Sequence, residues 1–174
     1  SDFDPVQLIK SHEKSLYVHC SDYIESYNFS IQERLIAYRF LEELEATGWI
    51  CVSTQDVAKQ TSTNLEIVQT VLESLQQIEP AGLFARTLSE CLTLQALEAG
   101  LLDGTLKSIL ENLHLLGGGK FDLLKRRCGC TDQELSDNLK IIKSLNPKPG
   151  LQFSSESINI REPDLKITKN DDGW

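Results

Sequence analysis

The sequence predicts an all-α protein of two helical subdomains, each with a helix-turn-helix-like pair, followed by an extended C-terminal tail. Three observations carry this. Four Ser/Thr-x-x-Glu capping boxes each open an apolar run. Apolar residues recur at steps of three and four as far as Leu145, the spacing of a helix face turned to a core. Helical periodicity breaks at Glu79-Pro80-Ala81-Gly82 and again at Asn146–Gly150. The expected units are therefore 1–79, 80–150 and the tail 151–174.

Asp4-Pro5 reads as a cap followed by proline at the first helical position, opening a helix to about Cys20. Ser30-Ile-Gln-Glu33 is the first capping box, and Ile31, Leu35, Tyr38, Leu41 and Leu44 form its core-facing stripe, closed by Gly48. A short helix over 53–60 and a longer one over 64–78, opened by the box Thr63-Asn-Leu-Glu66, form a helix-turn-helix-like pair. The outward residues of the second helix are Asn64, Glu66, Gln69, Glu73, Gln76 and Gln77, with no Lys or Arg. A DNA reader lacking cations there lacks phosphate anchoring. Packing or protein contact is thus the favoured use, and a DNA-binding repressor the alternative.

Thr87-Leu-Ser-Glu90 opens a helix running towards Gly100, and another spans about 104–116 to the break Gly117-Gly118-Gly119. A short basic segment, Phe121 to Arg127, precedes the Cys128-Gly129-Cys130 turn. Thr131-Asp-Gln-Glu134 opens the last helix, with Leu135, Leu139, Ile142 and Leu145 on one face. Beyond Gly150 the period changes to two at Ile158, Ile160, Leu165 and Ile167, and Asn170–Gly173 reads as a hairpin turn before Trp174. That hairpin cut at its turn, and the lack of any methionine, lead us to expect a piece of a longer chain.

With 174 residues, 40% of them hydrophobic, and 25% charged, the chain has the composition of a soluble globular protein. No apolar stretch approaches the ~18 residues of a membrane span. Its net charge of −9 is uneven: residues 1–116 hold 7 Lys/Arg against 17 Asp/Glu, while 117–150 hold 7 against 4. An acidic body repels phosphates and suits a protein partner with basic surface, so only 117–150 is expected near DNA.

No chemistry-bearing constellation stands out. Cys51 and Cys91 lie among apolar neighbours and are expected to be buried free thiols of a reducing cytosol. Cys128 and Cys130 lack the two further ligands of a zinc site, so no metal or cofactor is expected. Gly117-Gly-Gly-Lys120 resembles part of a phosphate loop, but the spacing is incomplete and Phe121 follows the lysine, so it reads as a hinge. Glu42, Glu43 and Glu45 scatter around a helix instead of pairing, and none of the three histidines lies near a Ser or Cys in a recognisable nucleophile elbow. No catalytic residue is expected.

Two stretches exceed what a generic helical domain requires: Glu79-Pro-Ala-Gly-Leu-Phe-Ala-Arg-Thr-Leu-Ser-Glu-Cys-Leu-Thr-Leu-Gln95 and Leu145-Asn-Pro-Lys-Pro-Gly150. Together they resemble the core-binding region of the sigma-54 family of bacterial transcription initiation factors. The resemblance runs from about Lys10 through Leu75-Gln76-Gln77 to Pro163-Asp164-Leu165 and Gly173-Trp174. It departs at Leu83-Phe84, where many members carry Val-Gly. It implies a cytoplasmic protein that binds core RNA polymerase, directs it to promoter DNA of the −24/−12 class and holds a closed complex. An ATP-dependent enhancer-binding activator then remodels that complex through a glutamine-rich N-terminal region expected before Ser1. A DNA-binding helix-turn-helix is expected after Trp174.

The residues singled out for core-polymerase contact or for a subdomain joint are Pro80, Gly82, Arg86, Glu90, Gln95, Asn146, Pro147, Pro149 and Gly150. Pro80 ends one helix, Gly82 permits a close turn, and the prolines after Asn146 stiffen the exit from the last helix. Arg86 is read as pairing with a carboxylate across the joint or with the polymerase. Lys125, Arg126 and Arg127 are read as lying near DNA or as a solvated basic face. The outer surfaces of helices 30–47 and 64–78 are the expected polymerase contacts.

Overall fold

Side-chain caps open most of the helices, those at Leu113–Gly117 and Phe121–Cys128 excepted, in the computed structural model, which describes residues 14–153. Among the described residues the helices are α1 (Leu16–Ser26), α2 (Ile31–Glu42), α3 (Thr54–Thr61), α4 (Leu65–Leu75), α5 (Leu88–Glu98), α6 (Gly104–Glu111), α7 (Leu113–Gly117), α8 (Phe121–Cys128) and α9 (Asp132–Ser144). Ser15, Ser30, Ser53, Thr87, Asp103 and Thr131 each accept the backbone N–H three residues ahead, satisfying a donor that the helix itself leaves orphaned. The reciprocal capping box is complete at Ser30/Glu33 and at Thr131/Glu134.

The other two boxes differ from expectation. Asn64, not Thr63, caps α4, accepting from Glu66 N at 2.7 Å, while the Thr63 hydroxyl donates to Thr61 O. At Thr87 only half the box forms, because Glu90 turns its carboxylate to Arg86. Helix ends differ too. α1 continues past Cys20 to Ser26, and α4 ends at Leu75. The expected start at Asp4-Pro5 and the extended tail from 154 onward fall outside the described residues, while 151–153 are helical. α2 stops at Glu42, so Leu44 and Gly48 lie not in a helix but in a turn where Leu44 bridges Ile50. The expected helix over 104–116 divides at Asn112, whose backbone (φ −121°, ψ 32°) leaves the helix as its side-chain amide donates to Ser108 O at 2.8 Å.

α2 packs against α1, α3 and α4, and α3 packs on α4 with Ser62 left-handed between them, a helix-turn-helix-like arrangement. Their buried residues form one core that includes Ile24, Ile36, Phe40, Leu72, Leu83 and Phe84. Two smaller cores follow, one on Leu92, Ala96, Leu106 and Leu110, the other on Ile109, Leu115, Leu124 and Leu135. The face of α2 turned inward carries Ile36, Ala37, Phe40 and Leu41. Ile31 and Leu35, expected in the core, are 85% and 65% exposed. No helix among the described residues is long and apolar enough to cross a membrane.

Candidate functional site

Three segments far apart in sequence meet at one place: the turn 44–50 after α2, the turn 82–86 before α5, and the stretch 146–150 after α9. Gly48 closes the first turn with φ +100°, donating to Glu45 O at 2.9 Å. Phe84 N donates to Gly48 O at 2.8 Å and Ile50 N to Ala85 O at 3.0 Å, so the first two turns are sewn together by backbone bonds. Gly150 N then donates to Thr47 O at 2.8 Å, and the Trp49 indole donates to Pro147 O at 3.0 Å. The third segment is thereby tied to the first.

Glycine is required here by contact. A Cβ on Gly150 would lie 2.5 Å from Ala46 O and 2.6 Å from Gly48 N, both backbone. A Cβ on Gly82, already at φ +104°, would meet Cys91 Sγ and Gln95 Nε2, each at 2.8 Å, and Pro149 at 3.2 Å. Gln95 clasps Asn146 at both ends: its amide NH₂ donates to Asn146 O at 2.5 Å, and its carbonyl accepts Asn146 N at 2.8 Å. Cys91 is buried beside the same carbonyls, 3.8 Å from Asn146 O and 3.7 Å from Pro147 O, and burial pushes its thiol pKa up. Gly82, Gln95, Asn146, Pro147, Pro149 and Gly150 are thus brought into one joint.

Arg86 and Glu90 sit on its edge. The guanidinium grips the carboxylate through Nε to Oε1 at 3.0 Å and Nη2 to Oε2 at 2.8 Å, while Arg86 N adds a third bond at 2.8 Å. Gln76 links α4 to this pair, its amide donating to Glu90 Oε2 at 3.2 Å and to Phe84 O at 3.1 Å. Burial alone pushes the Glu90 carboxyl up, but the Arg86 bonds and charge together with Gln76 outweigh it and hold it below the ordinary carboxylate range. Arg86 thus pairs within its own turn of chain. Pro80 lies at the entrance to the joint, after a cis peptide bond from Glu79.

Trp49 and Thr47 belong to the joint although nothing in the local pattern selects them; the available signal is an indole donor placed directly after a turn glycine. Phe84 holds φ +68°, a left-handed conformation glycine enters without a Cβ penalty. Here a fully buried ring packed in the first core offsets that penalty.

On α8, Lys125 is committed to ion pairs with Asp132 and, at 3.5 Å, with Asp122, whereas Arg126 and Arg127 are exposed. The backbone amides of Gly118, Gly119 and Lys120 donate to His114 O, Leu116 O and Leu115 O, closing α7. They are spent on that closure instead of cradling a phosphate. Cys51, expected to be buried, is exposed, and its thiol donates to Glu45 at 2.7 Å, which pushes its pKa up. Among the described residues no group of three or more His, Cys, Asp or Glu is arranged to hold a metal ion.

Against known families, residues 6–174 match the model described as "Sigma-54 factor, core binding domain". Among curated proteins, the chain is 38% identical over 173 residues to the RNA polymerase sigma-54 factor of Cereibacter sphaeroides, covering 99% of this chain and 40% of that protein. The sigma-54 factor of Rhizobium etli is 35% identical over 175 residues, covering 100% of this chain and 34% of its own length. The chain therefore spans less than half of the relatives it matches. Those matches leave the repressor reading without support.

Proposed function

The chain belongs to the sigma-54 factor family, through its core binding domain, and on that premise we propose that this region docks on core RNA polymerase as a rigid, non-catalytic adaptor. The observation that carries the reading is Ile31 and Leu35 on α2. They are large apolar residues one helical turn apart, turned to solvent although the same helix has a full inward face. Solvent-facing apolar pairs of this kind suit a partner surface. The surrounding body is acidic, which favours a protein partner with basic surface over autonomous nucleic-acid binding.

In this reading Gly82, Glu90, Gln95, Asn146, Pro147, Pro149 and Gly150 serve the joint, and Arg86 serves it by holding Glu90. The division between the helical units is then best drawn near Ala85–Thr87, since Leu83 and Phe84 pack in the first core. Arg126 and Arg127 are the cations available to lie near promoter DNA within the holoenzyme; Lys125 is already paired. Promoter selection, the closed complex and its activator belong to the whole factor in this proposal, and the region acts in the cytoplasm without a cofactor.

The test is co-elution of the chain with core RNA polymerase and, separately, with promoter duplex at near-physiological salt. A stable polymerase complex that Ile31→Ser/Leu35→Ser weakens, with no duplex binding by the chain alone, is expected. Failure to co-elute with polymerase overturns the reading.

A further inference from the structure

Beside the joint, the turn 76–81 after α4 and the outer side of α5 enclose a cleft of about 140 Å³. Its lining is half apolar and half polar: Ile78 is buried beneath it, Leu94 is half-buried, Leu97 is 62% exposed at its lip, and Gln76 and Gln77 add amide groups beside the two glutamates. Glu79 and Glu98 line it from opposite sides of the sequence break, and both are exposed. No Lys or Arg is among its lining residues, and neither glutamate takes part in an ion pair among the described residues. The space suits one long side chain, not a helix. Its chemistry asks for an apolar stem ending in a cation: the stem covers Leu94 and Leu97 while the head meets the carboxylates.

Arginine meets that requirement better than lysine. Its planar fork presents donors in several directions, is weakly hydrated, and bridges carboxylates with defined geometry, and arginine is enriched among the residues that dominate interfaces. We infer that this cleft is an anchor pocket for an arginine side chain of core RNA polymerase. The inference rests on the polymerase-docking reading and gives that docking a second contact.

Two measurements test it on the full chain. Binding to core polymerase is followed by biolayer interferometry over a series of salt concentrations, comparing the unmodified chain with Glu79→Gln/Glu98→Gln and with Leu97→Ser. All three substituted side chains are exposed, and the Glu79 carbonyl that His19 engages at 2.5 Å is untouched. The double variant is expected to weaken binding ~10-fold and to flatten its salt dependence, since two paired charges are lost. Leu97→Ser weakens binding without changing that slope. Unchanged affinity and slope in the double variant, while the unmodified chain binds, overturn the anchor pocket alone. An unmodified chain that does not bind polymerase overturns the docking reading beneath it. In the second measurement, Nα-acetylarginine amide is expected to shift the backbone resonances of Leu97 and Glu98 more than Nα-acetyllysine amide does. The reverse order overturns the choice of arginine.

Discussion

Replacing Gly150 by alanine adds one methyl group to a place with no room for it. The new Cβ would lie 2.5 Å from Ala46 O, 2.6 Å from Gly48 N and 2.7 Å from Thr47 C. Those atoms are backbone of a turn itself held by Glu45 N to Trp49 O at 2.8 Å and by Phe84 N to Gly48 O at 2.8 Å, so they do not yield as a flexible side chain does. The 146–150 segment must retreat by roughly 1 Å, the gap between these distances and ordinary van der Waals contact. That retreat strains or breaks Gly150 N to Thr47 O and the Trp49 indole to Pro147 O. At ~0.5–1.5 kcal/mol each, the two bonds account for ~1–3 kcal/mol, and overpacking alone costs ~1–3 kcal/mol. These overlap, and the expected loss is ~2–4 kcal/mol. Urea unfolding followed by Trp49 emission, in a Trp174→Phe background, measures it. Gly117→Ala is the control: nothing lies within 4 Å of its Cβ, and the change is expected to be neutral or stabilising by up to ~1 kcal/mol. A Gly150→Ala protein within ~0.5 kcal/mol of the unmodified chain, with unchanged Trp49 emission, refutes the close-packed joint.

At Phe84 the usual ranking of glycine and alanine should invert: both truncations empty a fully buried site, but alanine also retains the ~1–2 kcal/mol penalty of φ +68°, so thermal or urea unfolding should find Phe84→Ala less stable than Phe84→Gly. Glu90 is held below its ordinary range when folded, so its contribution to stability is complete above the unfolded carboxylate pKa of ~4.3 and is lost as pH falls through the lower folded value. Urea midpoints at pH 7, 5 and 3 should therefore show part of the acid loss missing in Glu90→Gln, by a modest amount because Arg86 is partly solvated; an identical acid loss would falsify the pairing. Alkylation at pH 8 read by peptide mass spectrometry should label Cys51 in the native state and spare Cys20, whose thiol burial pushes up to about 12, and labelling of Cys20 before unfolding contradicts that burial.

Local physics explains which parts of the fold could be read along the chain. A capping serine and the amide it satisfies are three residues apart, so Ser30, Ser53, Thr87 and Thr131 announce their helices without reference to the rest of the molecule. The same logic misassigns Thr63 because Asn64 beside it competes for the role. It also takes Gly48 for a helix cap, since both a helix end and a hairpin-like turn call for a left-handed glycine. Inward orientation is harder. Ile31 and Leu35 keep helical spacing with Tyr38, yet Ile36 and Phe40 fill the core, and only the positions of α1, α3 and α4 choose between two apolar faces of one helix.

The sequence by itself determined the helices, their breaks at Pro80 and Asn146, and two motifs specific enough to indicate the family. Only the tertiary structure decided what those motifs do to one another. Gln95 and Asn146 are 51 residues apart, and Trp49 and Pro147 are 98 apart. Nothing within either stretch encodes its partner's position, because the pairing depends on where the separate cores place the two turns. The same holds for the glycines: their need at 82 and 150 comes from backbone and side chains delivered by other segments, a steric fact that exists only in the folded chain.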